Sequence, residues 1–164
     1  MHARDVSGAQ RHARLGGDTT PHPALPDFES TYGMTYMGKE YYPKWLDNLA
    51  DDATLEAAAM DGTAHGAKDV GAILVVARQQ YENQVFSYAG PCGDYGFVED
   101  YTAEVRGVPT RVIVLVTYNA AGQTQRIVAS YRPRSSLLVL SRLLRKKFAG
   151  APFGDQFDPG EPGV

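Results

Sequence analysis

Residues 45–133 decide the fold of this chain: they open with WLDNLADDATLEAAAMDGTAHGAKDV (45–70) and close with VIVLVTYNAAGQTQRIVASYRP (112–133). The opening stretch has the pattern of a helix end, a short strand and the start of a second helix. The closing stretch alternates side chains with a period of two, which is typical of strands. This order predicts a sheet that curls around a helix and leaves a pocket.

The elements follow from local spacing. Pro43 suits a first helical turn, and the apolar residues from Trp45 to Leu49 recur at helical spacing, so a first helix is predicted to end here after beginning near Tyr32. A second helix is predicted from Ala67–Asp69. The predicted fold class is α+β: a cone-shaped, curved antiparallel sheet wrapped on N-terminal helices, with a C-terminal amphipathic helix. Strands are predicted over 54–60, 85–89, 97–106, 111–118 and 125–132.

The chain divides by composition into one domain with extensions. Residues 1–28 and 151–164 are rich in Gly, Pro and charged residues, so both are predicted to be disordered. The cone domain is assigned to 29–134 and the C-terminal helix to 135–150. No apolar run in the N-terminal extension is long enough for a signal peptide, so a cytoplasmic location is expected.

Charge and cysteine content narrow the partners. The net charge is -3, from 16 Lys+Arg against 19 Asp+Glu, and no basic stripe favours nucleic acid. The single cysteine, Cys92, and the absence of paired His or Cys ligand spacing indicate no metal site. No Gly-rich phosphate loop follows a strand, so no cofactor is expected.

The motif ADDATLEAAAMDGTAHG (50–66), followed by a helix, a strand ending in Ala89-Gly90-Pro91, and strands meeting at Gly107 and at 119–122, resembles the nuclear transport factor 2-like superfamily. Within it the chain is most similar to SnoaL-like polyketide cyclases and ketosteroid isomerases, over residues 41–134. The resemblance implies a cone with a pocket. It does not imply one activity, because this scaffold hosts enzymes and non-catalytic binders alike.

Ketosteroid isomerase chemistry uses an Asp base with a Tyr and a protonated Asp as oxyanion hole. Alignment with that pattern places Ala57 at the base and Val114 at the oxyanion Asp, and neither side chain can do the chemistry. The Tyr falls near Gly33, with Tyr32 and Tyr36 close by. The ordinary isomerase reaction is therefore not expected.

Strand alternation then predicts the pocket lining. The predicted substrate-binding residues are apolar or aromatic apart from one guanidinium: Trp45, Leu55, Ala57, Phe97, Tyr101, Val112, Val114, Val116, Tyr118 and Arg132.

Three residues are candidates for acid–base catalysis. Glu99 is placed on the pocket face, where loss of hydration raises the pKa of a carboxyl group. Asp100 is its rival, because a register error of one residue exchanges the two. His65, in the turn before Gly66, is predicted either to reach over the pocket as an acid or base, or to serve only the helix entry.

The segment SSLLVLSRLLRKKFAG (135–150) is predicted to cover the cone mouth or to pack on a partner subunit; binding to a membrane surface is the less favoured alternative. Three functions remain open: a SnoaL-like enzyme acting on an apolar carbonyl compound or epoxide, a non-catalytic binder of an apolar metabolite, and an assembly module of the same fold. A homodimer is the expected assembly.

Overall fold

The structure is a computed structural model that describes residues 34–161. Within that range the chain forms two α-helices, α1 (Ala67–Arg78) and α2 (Arg134–Lys147), and two 3-10 turns, Lys44–Asn48 and Gly154–Gln156. It also forms eight strands: β1 (Thr35–Tyr36), β2 (Lys39–Glu40), β3 (Leu49–Ala57), β4 (Thr63–His65), β5 (Tyr81–Pro91), β6 (Gly96–Val105), β7 (Val108–Tyr118) and β8 (Thr124–Arg132).

All of these strands belong to one curved, unclosed sheet in the order β2-β1-β5-β6-β7-β8-β3-β4. The α+β class and the cone-like curvature are as predicted. The purely antiparallel sheet is not, because β3 runs parallel to β8 and β1 runs parallel to β5. Local alternation predicts strands but says nothing of which distant strand each one pairs with.

The predicted first helix is replaced by a 3-10 turn and a strand. Trp45 and Leu46 are buried by the turn at Lys44–Asn48, and Leu49 already begins β3. Pairing of this segment with β8 wins over its helix-like apolar spacing. The predicted start near Tyr32 and the predicted disorder of residues 1–28 lie outside the described residues.

The sheet packs its concave face on α1. Val70, Ile73 and Ala77 of that helix are buried at 0, 2 and 6% exposure. They belong to one hydrophobic core with inward side chains of the long strands, of which Val112, Val116 and Ile127 are fully buried. On β5 and β6 the antiparallel register carries bulges near Glu82–Val85 and Phe86–Tyr88, which help the sheet to bend.

The segment after α2 is ordered rather than disordered. Phe153 and Phe157 are buried, and their rings lie 4.9 and 6.1 Å from that of Phe148. Ser141 Oγ on α2 donates to the Ala59 carbonyl at 2.6 Å and accepts the Asp158 N–H at 2.8 Å. Two aromatic side chains four residues apart thus anchor a stretch whose Gly and Pro content predicted disorder.

Candidate functional site

Glu99 lies in the interior of the fold. It is the fourth residue of β6, where it pairs with Ala89 of β5 and Val114 of β7. Alternation along the strand turns Glu99 and Tyr101 toward the concave face, and Glu99 is only 2% exposed. A carboxyl group at such a depth needs hydrogen-bond partners.

Two donors hold one oxygen of this carboxyl group. Tyr41 Oη donates to Oε1 at 2.6 Å, and Trp45 Nε1 donates to the same atom at 2.8 Å. Both come from the segment just before β3, more than 50 residues away in sequence. Within residues 34–161 no hydrogen bond is made to the other oxygen, Oε2. Oε2 is therefore the atom available to a ligand or a proton.

The environment shifts several pKa values in the same region. Burial raises the pKa of Glu99, and the hydrogen bonds from Tyr41 and Trp45 and the charge of Arg78 oppose that rise. Burial, with the negative charge of Glu99 next, raises the pKa of Tyr41 well above its usual range. Tyr41 therefore stays protonated as a hydrogen-bond donor, whereas burial favours the neutral form of Glu99.

A cavity of about 40 Å³ lies beside Glu99. About 10–15 Å³ is needed for one water molecule, so the space holds roughly three. Its wall is aromatic and apolar around a few polar groups: Met34, Pro43, Trp45, Leu46, Leu74, Ala77, Arg78, Tyr81, Gln84, Phe86, Glu99, Tyr101, Val114, Ala129 and Tyr131.

Three tyrosines gather on the wall. Tyr81 Oη donates to Tyr131 Oη at 3.1 Å, and the Tyr81 and Tyr101 rings meet edge to face with centroids 5.8 Å apart. Burial is the main cause that raises the pKa of all three phenols. They are neutral hydroxyls that can donate or accept hydrogen bonds to a bound molecule.

Arg78 supplies positive charge to the same cavity. It is 8% exposed, its Nη2 contacts Met34 Sδ at 3.2 Å, and its guanidinium lies 5.4 Å from the ring centre of Tyr42. Burial lowers its pKa, and the negative charge of Glu99 is among the groups that oppose this. Glu99 and Arg78 thus line the same cavity and influence each other electrostatically.

Asp100 points away from the cavity, as the predicted register requires. Arg111 holds it through two hydrogen bonds, Nε to Oδ1 at 2.9 Å and Nη2 to Oδ2 at 2.6 Å. The hydrogen bond to Arg111 lowers the pKa of Asp100. The register alternative between the two carboxylates is thereby resolved in favour of Glu99 as the buried one.

The structure separates His65 and Arg132 from the cavity. His65 is exposed at the end of the short strand β4, and Arg132 is exposed at the end of β8, so the predicted inward direction of Arg132 is wrong. In β8 the inward positions are Ile127 and Ala129, with Tyr131 next, whereas Ser130 and Arg132 face out. A one-residue error in strand register moves every side chain to the other face.

The other predicted lining residues fall into three groups. Trp45, Tyr101 and Val114 line the cavity. Leu55, Val112 and Val116 are buried in the core without lining the cavity, and Ala57, Phe97 and Tyr118 are half-buried and pack against that core. Val114, at the position implied for the oxyanion Asp, is the cross-strand partner of Glu99, so this chain carries its carboxylate on the neighbouring strand.

Sequence reasoning missed Tyr41, Arg78, Gln84 and Tyr131. The predicted exit of the second helix is marked by the polar residues Gln79, Gln80, Glu82 and Asn83, and Arg78 just before them is buried. Gln84 and Tyr131 follow from strand alternation only once the bulges in β5 and the register of β8 are known.

Residues 34–161 contain neither a cluster of metal ligands nor a helix that could cross a membrane. No three His, Cys, Asp or Glu side chains in this range come together as metal ligands. In the same part of the chain, neither helix is long and apolar enough to cross a bilayer.

No protein-family model matches the chain, and no curated protein matches its sequence. Solved structures match its fold. An uncharacterized bacterial protein with a cystatin-like fold from Silicibacter pomeroyi DSS-3 overlays with a TM-score of 0.62 at 16% identity, covering 70% of this chain and 83% of that chain. A steroid delta-isomerase from Pseudomonas aeruginosa overlays with a TM-score of 0.59 at 20% identity, covering 63% of this chain and 77% of that chain.

Weaker matches include a protein of the SnoaL-like family from Agrobacterium tumefaciens str. C58, with a TM-score of 0.43 at 14% identity over 52% of this chain and 75% of that chain. Others are nuclear transport factor 2-like and ketosteroid isomerase-like proteins. At such identities the likeness concerns the fold and not the activity. The predicted resemblance is confirmed at the level of the fold alone: the chain shares its fold with the steroid delta-isomerase and with the cystatin-like protein.

Proposed function

We propose that the chain is a SnoaL-like small-molecule enzyme in which Glu99 transfers protons to and from a carbonyl compound or epoxide bound in the cavity. One observation carries the proposal: a carboxyl group 2% exposed has one oxygen fixed by two donors and its other oxygen without a hydrogen bond from residues 34–161. Burial raises the pKa of this group, which suits a general base or acid near neutral pH.

The proposed step on a carbonyl compound is an enolisation. Glu99 Oε2 takes a proton from the carbon next to the carbonyl, the C–H electron pair forms a C=C bond, and the carbonyl electrons move to oxygen. The positive charge of Arg78 and the phenol hydroxyls on the wall favour the negative oxygen. The protonated Glu99 then returns its proton to the same carbon, which gives hydrogen exchange, or, in an unsaturated ketone, to the far carbon of the dienolate, which moves the C=C bond; either path restores the carboxylate.

The cavity limits the bound molecule in the conformation described. At about 40 Å³ it is smaller than a metabolite-sized ligand, so binding requires its wall to move. Met34 and Tyr41 flank the short strands β1 and β2, joined by a hydrogen bond from Tyr41 N to the Met34 carbonyl at 3.0 Å. We propose that this small hairpin is the part of the wall that gives way.

The test is hydrogen–deuterium exchange. Native mass spectrometry of the purified protein first identifies any retained molecule, and that molecule and a panel of small ketones are then incubated with the protein in D₂O. We expect exchange next to the carbonyl, reduced about 100-fold or more by Glu99→Gln. Asp100→Asn is the matched control, with its carboxylate on the outer face, and should retain exchange.

Equal rates of deuterium exchange in wild type and Glu99→Gln would refute the catalytic role of Glu99. A retained molecule with no exchange in the wild type would instead favour the alternative of a non-catalytic binder.

A second candidate is an assembly module, which the small cavity favours because the chain fills most of its own interior. On the outer sheet face Val98, Leu115 and Val128 form one cross-strand row. The ion pairs Asp100–Arg111 and Glu56–Arg126 flank this row, and a two-fold related copy could complement them. We propose a homodimer through this face. Light scattering should show a dimer that Leu115→Arg converts to monomer and Met37→Arg leaves intact; a monomeric wild type overturns it.

A further inference from the structure

Gln84 carries a side-chain amide that no group of residues 34–161 hydrogen-bonds. The residue is 3% exposed and lines the cavity, and its amide atoms are not among the fully enclosed polar atoms of this range that lack a partner, so they border open space. Buried polar groups are normally paired with protein, water or ligand. Gln84 therefore presents both donors and an acceptor to whatever occupies the cavity.

The register places Gln84 away from Glu99. On β5 it lies between Glu82, which pairs with Glu104, and Val85, which pairs with Thr102. Its level on β6 is thus near Ala103, four residues beyond Glu99, or about 13 Å of strand. Both side chains line the same cavity, so a molecule bound there can lie between them.

Two aromatic rings, Phe86 and Tyr101, line the apolar part of the cavity between Glu99 and Gln84. Phe86 pairs with Tyr101 across β5 and β6, and the ring centroids are 4.7 Å apart. Both rings line the cavity, as do Glu99 on one side of them and Gln84 on the other. The cavity is therefore polar at both ends and aromatic in the middle.

We infer that Gln84 is a ligand-binding residue that selects a small compound with a second oxygen function, a hydroxyl or carbonyl, remote from the carbonyl that faces Glu99. This inference rests on the proposed function and sharpens its substrate class. A compound with a hydrocarbon far end leaves the amide unpaired, and a site that buries an unpaired polar group discriminates against such a compound.

The test compares two ketones that differ in one group: 4-hydroxybutan-2-one and pentan-2-one, in which a methyl replaces the hydroxyl. Titrations of each are followed by NMR of the Gln84 side-chain amide and of the surrounding backbone. We expect the wild type to bind the hydroxyketone about 3- to 10-fold more tightly, the factor contributed by one neutral hydrogen bond. Gln84→Leu should abolish or reverse that preference.

Thermal melting distinguishes ligand binding from a purely structural role of Gln84. If the amide only stabilised the fold, Gln84→Leu would lower the melting temperature. Because the leucine removes an unsatisfied amide while keeping its volume, Gln84→Leu should melt at the same temperature as wild type or higher. A lower melting temperature, an unchanged preference in Gln84→Leu, or no binding of either ketone overturns the inference.

The results also separate this inference from the proposed function. If deuterium exchange depends on Glu99 but the protein shows no preference for the hydroxyketone, only the role of Gln84 is rejected. A hydroxyl preference that depends on Gln84, with equal exchange in wild type and Glu99→Gln, removes only the catalytic role of Glu99.

Discussion

Replacing Tyr41 by phenylalanine tests the electrostatics of the site. The change removes a 2.6 Å hydrogen bond to Glu99 Oε1 and leaves the ring that packs on Phe86, with centroids 4.4 Å apart. A hydrogen bond to a charged group contributes about 1.5–3 kcal/mol, and a neutral one about 0.5–1.5 kcal/mol. The loss of stability should therefore be about 1.5–3 kcal/mol where Glu99 is ionised and smaller in acid, where it is protonated.

The neighbouring residue provides a matched control. Tyr42 Oη also donates to a carboxylate at 2.6 Å, but its acceptor, Asp47, is exposed. Tyr42→Phe should cost less than about 1 kcal/mol, because water can replace the lost donor at an exposed carboxylate. Urea unfolding of both variants at several pH values measures the difference. Equal losses in the two variants, or a loss in Tyr41→Phe that does not change with pH, would refute the reasoning.

Three further predictions concern stability. The folded state raises the pKa of Glu99 above its usual 4.5, so folded Glu99 keeps its proton at pH values where unfolded Glu99 has lost it; this contribution is complete below 4.5 and disappears as pH rises through the raised pKa. The melting temperature of Glu99→Gln should therefore increase relative to that of the wild type as pH rises. A difference in melting temperature that does not change with pH would contradict this. Phe157→Ala, at a residue 1% exposed, should cost about 3–5 kcal/mol in urea unfolding, against less than about 1 kcal/mol for Asp155→Ala, which breaks only an exposed ion pair. Asp100→Asn should also cost less than about 1 kcal/mol; a larger loss would show that its pair with Arg111 is structural.

Part of the site was accessible to sequence reasoning. The alternation Phe97-Val98-Glu99-Asp100-Tyr101 puts Glu99 on the apolar face, and β6 keeps an unbroken register with β7 along its whole length. The same reasoning failed for Arg132, because the turn before β8 changes the phase of alternation. Register can be extended along a regular strand but not through a loop of unknown geometry.

Local spacing also misjudged the segment before β3. Trp45, Leu46 and Leu49 fit a helix as well as they fit a 3-10 turn followed by a strand, because short apolar runs are compatible with both periods. Parallel pairing with β8, a contact about 75 residues distant, selects the strand. His65 likewise belongs to β4, where it pairs with Thr54, and this pairing places it away from the cavity.

The sequence by itself determined the α+β class, the second helix and the four long strands, because each depends on a short-range period that the chain displays; between Glu99 and Asp100 it left open which one is the inward carboxyl group. Tertiary structure alone decided the partners of that carboxyl group. Tyr41 and Trp45 lie 58 and 54 residues before it, and Arg78 and Gln84 reach the cavity from a helix end and a bulged strand. Contacts between distant segments, which no local period encodes, bring Tyr41 and Trp45 to one carboxyl oxygen of Glu99 and leave the other without a hydrogen bond from residues 34–161.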